Sequence, residues 1–198
     1  VYIMDTNQGL QASVKEMFAH LEKEGPILTS SKEVYIKVNG IDFKKHVHTS
    51  PEVLEAVINY LNDLGAKVHV MENSTQANMT RVVFAITGYE EVCKRTGASV
   101  IYLDEEESEI FEFKGKPSNK EDPKGYILKN FRLPKTVVKI IKNREKFTYI
   151  NIPKLKTHSM ARVTLGIKNQ WGFPIHEDRG KDHNFNLHSK IVDVYEYI

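Results

Sequence analysis

The stretch EVYIKVNGIDFKKHVHTSPEVLEAVINYLNDLGAKVHVMEN, Glu33 to Asn73, decides the fold. Val34, Ile36 and Val38 alternate in its first segment, the period of a strand with one face buried. Val53, Val57, Ile58 and Leu61 then recur at helical spacing. Pro51 suits the first turn of that helix, Thr49 or Ser50 its cap, and Gly65 its end. AKVHVMEN returns to a strand centred on Val68 and Val70. Strand 34–38, helix 52–64 and strand 66–71 therefore form one parallel crossover unit, right-handed because twisted strands favour that packing.

Working outward, Val14, Met17, Phe18 and Leu21 give an amphipathic helix in SVKEMFAHLEKEG, Ser13 to Gly25. TRVVFAITGYEEVCKRTG holds one helix or two joined at Gly88, and ASVIYLDEE supplies another strand. FTYINI is a further buried strand. ARVTLGIKNQWG satisfies both periods, so helix, broken helix and short strand stay open. KIVDVYEYI reads as an apolar helix. Residues 110–147 form a looser insertion, either an edge excursion or a flap across the main crevice. The expected class is α/β: a partly parallel Rossmann-like sheet in three layers with crossover helices. The chain is a single compact domain or one lobe of a larger protein.

Composition narrows the setting. With 40% hydrophobic and 27% charged residues, the 198-residue chain has an ordinary globular balance. No apolar run is long enough to cross a bilayer. Cys93 is the single cysteine, which excludes an internal disulfide and a cysteine-held zinc or iron–sulfur centre. A reducing cytoplasm is the expected compartment. The net charge of +2 and the lack of a recognition element make nucleic acid an unexpected partner. The dinucleotide, phosphate-loop, nucleophile-elbow and H-E-x-x-H motifs are all absent.

Chemistry-bearing residues concentrate in TYINIPKLKTHSMARVTLGIKNQWG, Thr148 to Gly172. Lys154, Lys156 and His158 alternate after Pro153, and an extended backbone puts them on one face. Lys168 and Asn169 follow. Lys37 and Asn39 leave the first strand, His48 and Thr49 precede the crossover helix, and Glu72 ends the second strand. Carboxyl ends of parallel strands commonly border a ligand crevice. Lys37, Lys154, Lys156 and Lys168 are candidates to neutralise an anion, Asn39, His48, Thr49 and Asn169 to orient it. His158 is the candidate for proton transfer and Glu72 its weaker partner. His176, His183 and His188, with Asp178 and Asp182, are chemically suited to a metal, but their spacing fits a flexible surface loop better. Neither a metal nor a cofactor is specified by these residues.

The combined segments resemble the family catalogued as domain of unknown function 362. VYIKVNG resembles its strand ending in lysine–proline–asparagine, with Val38 in place of the proline; NIPKLKTHSMARVTLGIKNQWG is the strongest local likeness. His183 looks like the histidine beyond that stretch. The resemblance implies an α/β protein that forms one lobe of a larger molecule. Some relatives look fused to ferredoxin-like segments, so an iron–sulfur partner, a missing C-terminal lobe or a second copy of the chain is implied as a partner. A remote likeness to the nickel-dependent lactate racemase fold implies nucleotide-like cofactor binding or proton chemistry. The expected function is a small-molecule enzyme domain that binds an anionic substrate or cofactor for isomerisation or proton transfer. The alternative is a noncatalytic ligand-binding or electron-transfer accessory.

Overall fold

The computed structural model describes residues 2–74, 79–112, 128, 130–184 and 186–198. Helix α1 (Leu10–Glu22) leads to β1 (Glu33–Val38), α2 (Pro51–Asp63) and β2 (Lys67–Glu72). Helices α3 (Thr80–Thr87) and α4 (Tyr89–Thr96) precede β3 (Ser99–Tyr102). An antiparallel pair, β4 (Ser108–Glu112) and β5 (Asn130–Pro134), is followed by α5 (Lys135–Lys142) and β6 (Phe147–Ile152). The C-terminal part contains β7 (Lys156–His158), β8 (Arg162–Thr164), α6 (Gly166–Gln170), α7 (His176–Asp182) and α8 (Leu187–Tyr195).

The crossover unit read from Glu33–Asn73 is present, with Val34 opposite Val68 and Ile36 opposite Val70 in parallel register. The four-stranded sheet has the order β3-β2-β1-β6 and is parallel throughout. This α/β fold, a parallel sheet flanked by helices, is the expected class. Alternation along β1 divides two cores. Val34, Ile36 and Val38 pack with α1, α2, α3 and α4, including Leu54, Ile58, Leu61, Phe84 and Tyr89. Tyr35 faces the other side, where Met71, Leu133, Val137, Trp171, Phe173 and Val194 gather. Each fully buried aliphatic or aromatic side chain contributes about 1.5–3 kcal/mol, so both faces of the sheet are needed.

Local chemistry settles several open points. Gly88 takes φ 84°, a left-handed conformation that favours glycine, and splits the 80–96 segment into two helices. The ambiguous ARVTLGIKNQWG becomes a short strand, β8, followed by α6. Thr49 and Ser50 do not cap α2 through their side chains; Ser50 Oγ turns to the Glu52 carboxylate instead. The Asp178–His183 run is mostly helical, as α7, rather than a loop. The mouth of the insertion is the β4–β5 pair, and residues 113–127 of that expected flap lie outside the described residues. Cys93 is buried at 1% exposure, and burial pushes its thiol up to about 12, as a packing cysteine requires. Among the described residues no helix is long and apolar enough to cross a membrane.

Candidate functional site

From β1 the strand order runs through β2 to β3 on one side, while β6 lies on the other. The carboxyl ends of β1 and β6 thus flank the point where the order reverses, which in open α/β sheets leaves a crevice. A cavity of about 350 Å³ opens there. Lys37, Asn39, Lys156, His158, Thr164, Lys168, Asn169, Trp171, His176, Arg179 and His183 contribute to its wall. Four of the lining side chains, Lys37, Lys156, Lys168 and Arg179, are cationic, and no lining residue is Asp or Glu among those described. A larger cleft of about 670 Å³ between α1 and β6 is walled chiefly by apolar side chains and has no lysine, arginine, histidine or carboxylate. Charge therefore singles out the first cavity.

Lys37 is not an exposed rim cation. It is fully buried, and its Nζ donates to Glu72 Oε1 at 2.5 Å and to the Val38 carbonyl at 3.2 Å. Burial holds the ammonium below its ordinary range while the Glu72 charge opposes that shift. Glu72 also accepts from Gly40 N at 2.7 Å and Asn73 N at 2.8 Å, so its oxygens are committed to holding the strand ends. A Cβ on Gly172 would come within 3.1 Å of Lys37 Nζ and 3.3 Å of Glu72 Oε1. A glycine here lets the segment after α6 close over this pair without displacing it.

A chain of asparagines runs beside it. Asn39 Nδ2 donates to Asn169 Oδ1 at 2.8 Å. Asn169 Nδ2 donates to Asn151 Oδ1 at 2.8 Å and to the Val38 carbonyl at 3.1 Å. Asn151 Nδ2 donates to the Gly166 carbonyl at 2.7 Å. Thr49 is part of the frame rather than the wall: its Oγ1 accepts from Asn39 N at 2.9 Å and donates to the Ile152 carbonyl at 2.6 Å.

Lys156 and His158 lie in β7 and share a face, as their spacing predicts, and both reach the cavity. Lys154 precedes the strand and does not line it. His48 is also outside: its Nδ1 meets the Lys44 carbonyl and its ring stands edge-on to Tyr89. Burial, with the other cations adding to it, depresses Lys156 and Lys168 to about 8. Lys156 Nζ donates to the Val47 carbonyl. His158 is lowered to about 4 by burial first, then by Lys168, His183 and Lys156. Its Nδ1 accepts from Met160 N at 3.2 Å and Ala161 N at 3.0 Å, so the neutral ring carries its proton on Nε2. At neutral pH this imidazole is a fixed donor. Nitrogen NMR is expected to give the Nε2–H tautomer, with the ring remaining neutral from pH 8 to pH 6. Titration near pH 6.5 would contradict this placement.

Arg179, absent from the expected site, is a central part of it. At 5% exposure it donates to the carbonyls of Asn73 and Ser74, each at 2.9 Å, and to that of Gly172 at 3.3 Å. His183 reaches the wall and meets His158 edge-on at 5.6 Å, whereas His188 is exposed and lies away from it. Among the described residues, no three His, Cys, Asp or Glu side chains gather as a metal site. Three buried wall residues keep a polar atom with no protein partner among those described: Asn39 Oδ1, Thr164 Oγ1 and Trp171 Nε1.

No curated protein and no solved structure matches this chain. A family model described as Domain of unknown function (DUF362) matches residues 34–198. That span covers all but the first residue of the parallel sheet and every residue named in the cavity wall, and the chain belongs to the DUF362 family.

Proposed function

We propose that this chain is a small-molecule enzyme domain whose cavity binds an anionic substrate or cofactor and exchanges a proton with it. The supporting observation is the wall itself: four cations with no carboxylate among the described lining residues. Glu72 balances Lys37, which leaves Lys156, Lys168 and Arg179 without a carboxylate partner among the described residues. Partly buried charges of this kind are satisfied by an anion, and hydrogen bonds to charged groups are the strong ones. Trp171 Nε1, a donor only, suits an anion oxygen.

The same geometry favours a lysine over His158 for the proton-transfer role. His158 Nδ1 is already occupied and its Nε2 donates, so it orients the ligand. Lys168, at about 8, lies near the operating pH of a general base. With the anionic group of the ligand held by Lys156 and Arg179, the neutral amine of Lys168 takes a proton from the ligand, the ammonium formed pairs with the resulting anion, and the proton returns to the isomeric position. Lys156 and Arg179 keep the amine fraction appreciable by repelling a further positive charge.

Sulfate, a dianion throughout the range, is the direct probe. Its affinity is expected to stay level from pH 6.5 to 7.5 and to fall above pH 8 as Lys156 and Lys168 lose their protons. Lys168→Met should weaken binding about tenfold or more, the value of one charge-assisted hydrogen bond. Calorimetry on the full chain reads both effects. Sulfate affinity indifferent to pH 9.5 and to Lys168→Met would count against the anion site. Solvent deuterium entering a bound carbon acid then tests the proton transfer.

The accessory reading draws on a different observation. Leu155, Val163, Leu165 and Ile167 are all exposed along β7, β8 and α6, beside the cavity. An apolar edge of this kind suits a protein partner. Anion binding without deuterium exchange into any bound ligand would favour it.

A further inference from the structure

We infer that the cleft between α1 and β6 receives an uncharged, extended peptide segment of a partner protein, added to β6 as a fifth strand of the sheet. β6 stands at one end of the order β3-β2-β1-β6, and it is buried at one of its six positions where β1 is buried at five. One bridge fixes which way its backbone points. Thr49 Oγ1 accepts from Asn39 N, directly after β1, and donates to the Ile152 carbonyl, so that carbonyl faces β1. Successive residues of a strand turn their backbone groups to opposite sides. Thr148, Ile150 and Ile152 therefore pair with β1, while Tyr149 and Asn151 aim their N–H and C=O groups outward. No hydrogen bond from the described residues reaches those four groups. Residues 148–153 line the cleft without a break. Strand side chains alternate between the two faces of a sheet, so an unbroken run makes the edge itself the wall. The opposite wall is the apolar stripe of α1, with Leu10, Val14, Met17, Phe18 and Leu21.

The chemistry of the edge says what covers it. Sheet edges are ordinarily blunted by shortness, charge or proline. β3, at the other end of this sheet, has four residues, and β4 of the antiparallel pair carries Glu109 and Glu112. β6 has six residues, none of them charged or proline, and the cleft beside it has no charged wall residue. This edge is left open to pairing. Its outward amides and carbonyls call for acceptors and donors at strand spacing, which another backbone supplies and an apolar small molecule does not. The uncharged walls select an uncharged segment, because a charge enclosed there would find no partner. A second copy of the chain would bring a helix layer of its own against α1, which already stands beside the edge. A bare segment meets no such obstacle.

Amide hydrogen exchange of the full chain, read by NMR, tests the inference with a defined probe, acetyl-Thr-Val-Thr-Val-Thr-Val-amide. In the free chain the Tyr149 and Asn151 amides are expected to exchange about tenfold or more faster than those of Ile150 and Ile152. The peptide at about 1 mM should slow Tyr149 and Asn151 about tenfold, which corresponds to a Kd of about 0.1 mM. The same peptide methylated on every amide nitrogen keeps its side chains but has no donor, and it should give no slowing. Met17→Lys places a charge in the α1 wall; it should abolish the slowing by the peptide while the exchange pattern of the free chain persists. Unchanged exchange of Tyr149 and Asn151 in the presence of the peptide overturns the inference, and so does equal slowing by the methylated form. Slowing that grows with protein concentration alone assigns the edge to a second copy and likewise overturns it.

Discussion

Lys37→Met is expected to cost about 3–5 kcal/mol of folding stability, because it leaves Glu72 charged and buried without its ammonium partner. Two effects compete in such a pair. Taking both ions out of water is expensive, and their attraction together with good hydrogen bonds offsets it. Here Glu72 keeps Gly40 N and Asn73 N after the substitution, so it cannot move toward solvent without releasing the ends of β1 and β2. The penalty for the unpaired charge is therefore felt in full. Urea unfolding should give a lower midpoint with an unchanged slope. Combining Lys37→Met with Glu72→Gln should cost less than the two single changes added together, with a coupling energy of about 2–3 kcal/mol. A loss below about 1 kcal/mol for Lys37→Met would mean the pair is not the buried ion pair described here.

Arg179→Met is the second large effect, and it should appear in two measurements at once. The guanidinium spans α7, the segment after β2 and the Gly172 turn through carbonyl acceptors. Removing it leaves those acceptors buried, and a stability loss of about 3 kcal/mol is expected from two or three unsatisfied groups. It also removes one cation from the cavity, so sulfate affinity should fall by about tenfold or more. Arg179→Lys separates the two. A lysine restores charge but not the planar fork, so binding should recover in part while the urea midpoint stays low. Stability and binding recovering together would mean that charge alone, and not the fork, holds this corner.

The parts of the fold that could be read from sequence are those with a local cause. β1, α2 and β2 announce themselves because alternation, a helical stripe, Pro51 and Gly65 all act within a few residues of one another. β6 is equally plain, as an apolar run stopped by Pro153. The site is different. Lys37 looks the same in sequence whether it reaches solvent, holds a ligand or pairs with a residue 35 positions away; only the parallel register of β1 and β2 brings Glu72 to it. Lys154 and His48 share the composition of the true wall but fall outside it, since Lys154 sits ahead of β7 and His48 turns toward Lys44. Arg179 could not be found by periodicity, because α7 has seven residues, most of them charged, and no apolar stripe. Asn151 left a faint signal: an amide side chain next to last in a mostly apolar strand that a proline follows.

The walls of the cavity come from residues 37–41 and 156–183, with the Asn39–Asn169 contact joining positions 130 apart in the chain. Neither of these two stretches holds a usable half of it, so binding of the proposed ligand would be thermodynamically linked to folding of the whole chain. A compound held only by the native state adds about 2.7 kcal/mol at a concentration of 100 times its Kd. The melting temperature of this chain is thus itself an assay of the proposed anion site, and a panel of anionic metabolites can be ranked by the rise they produce.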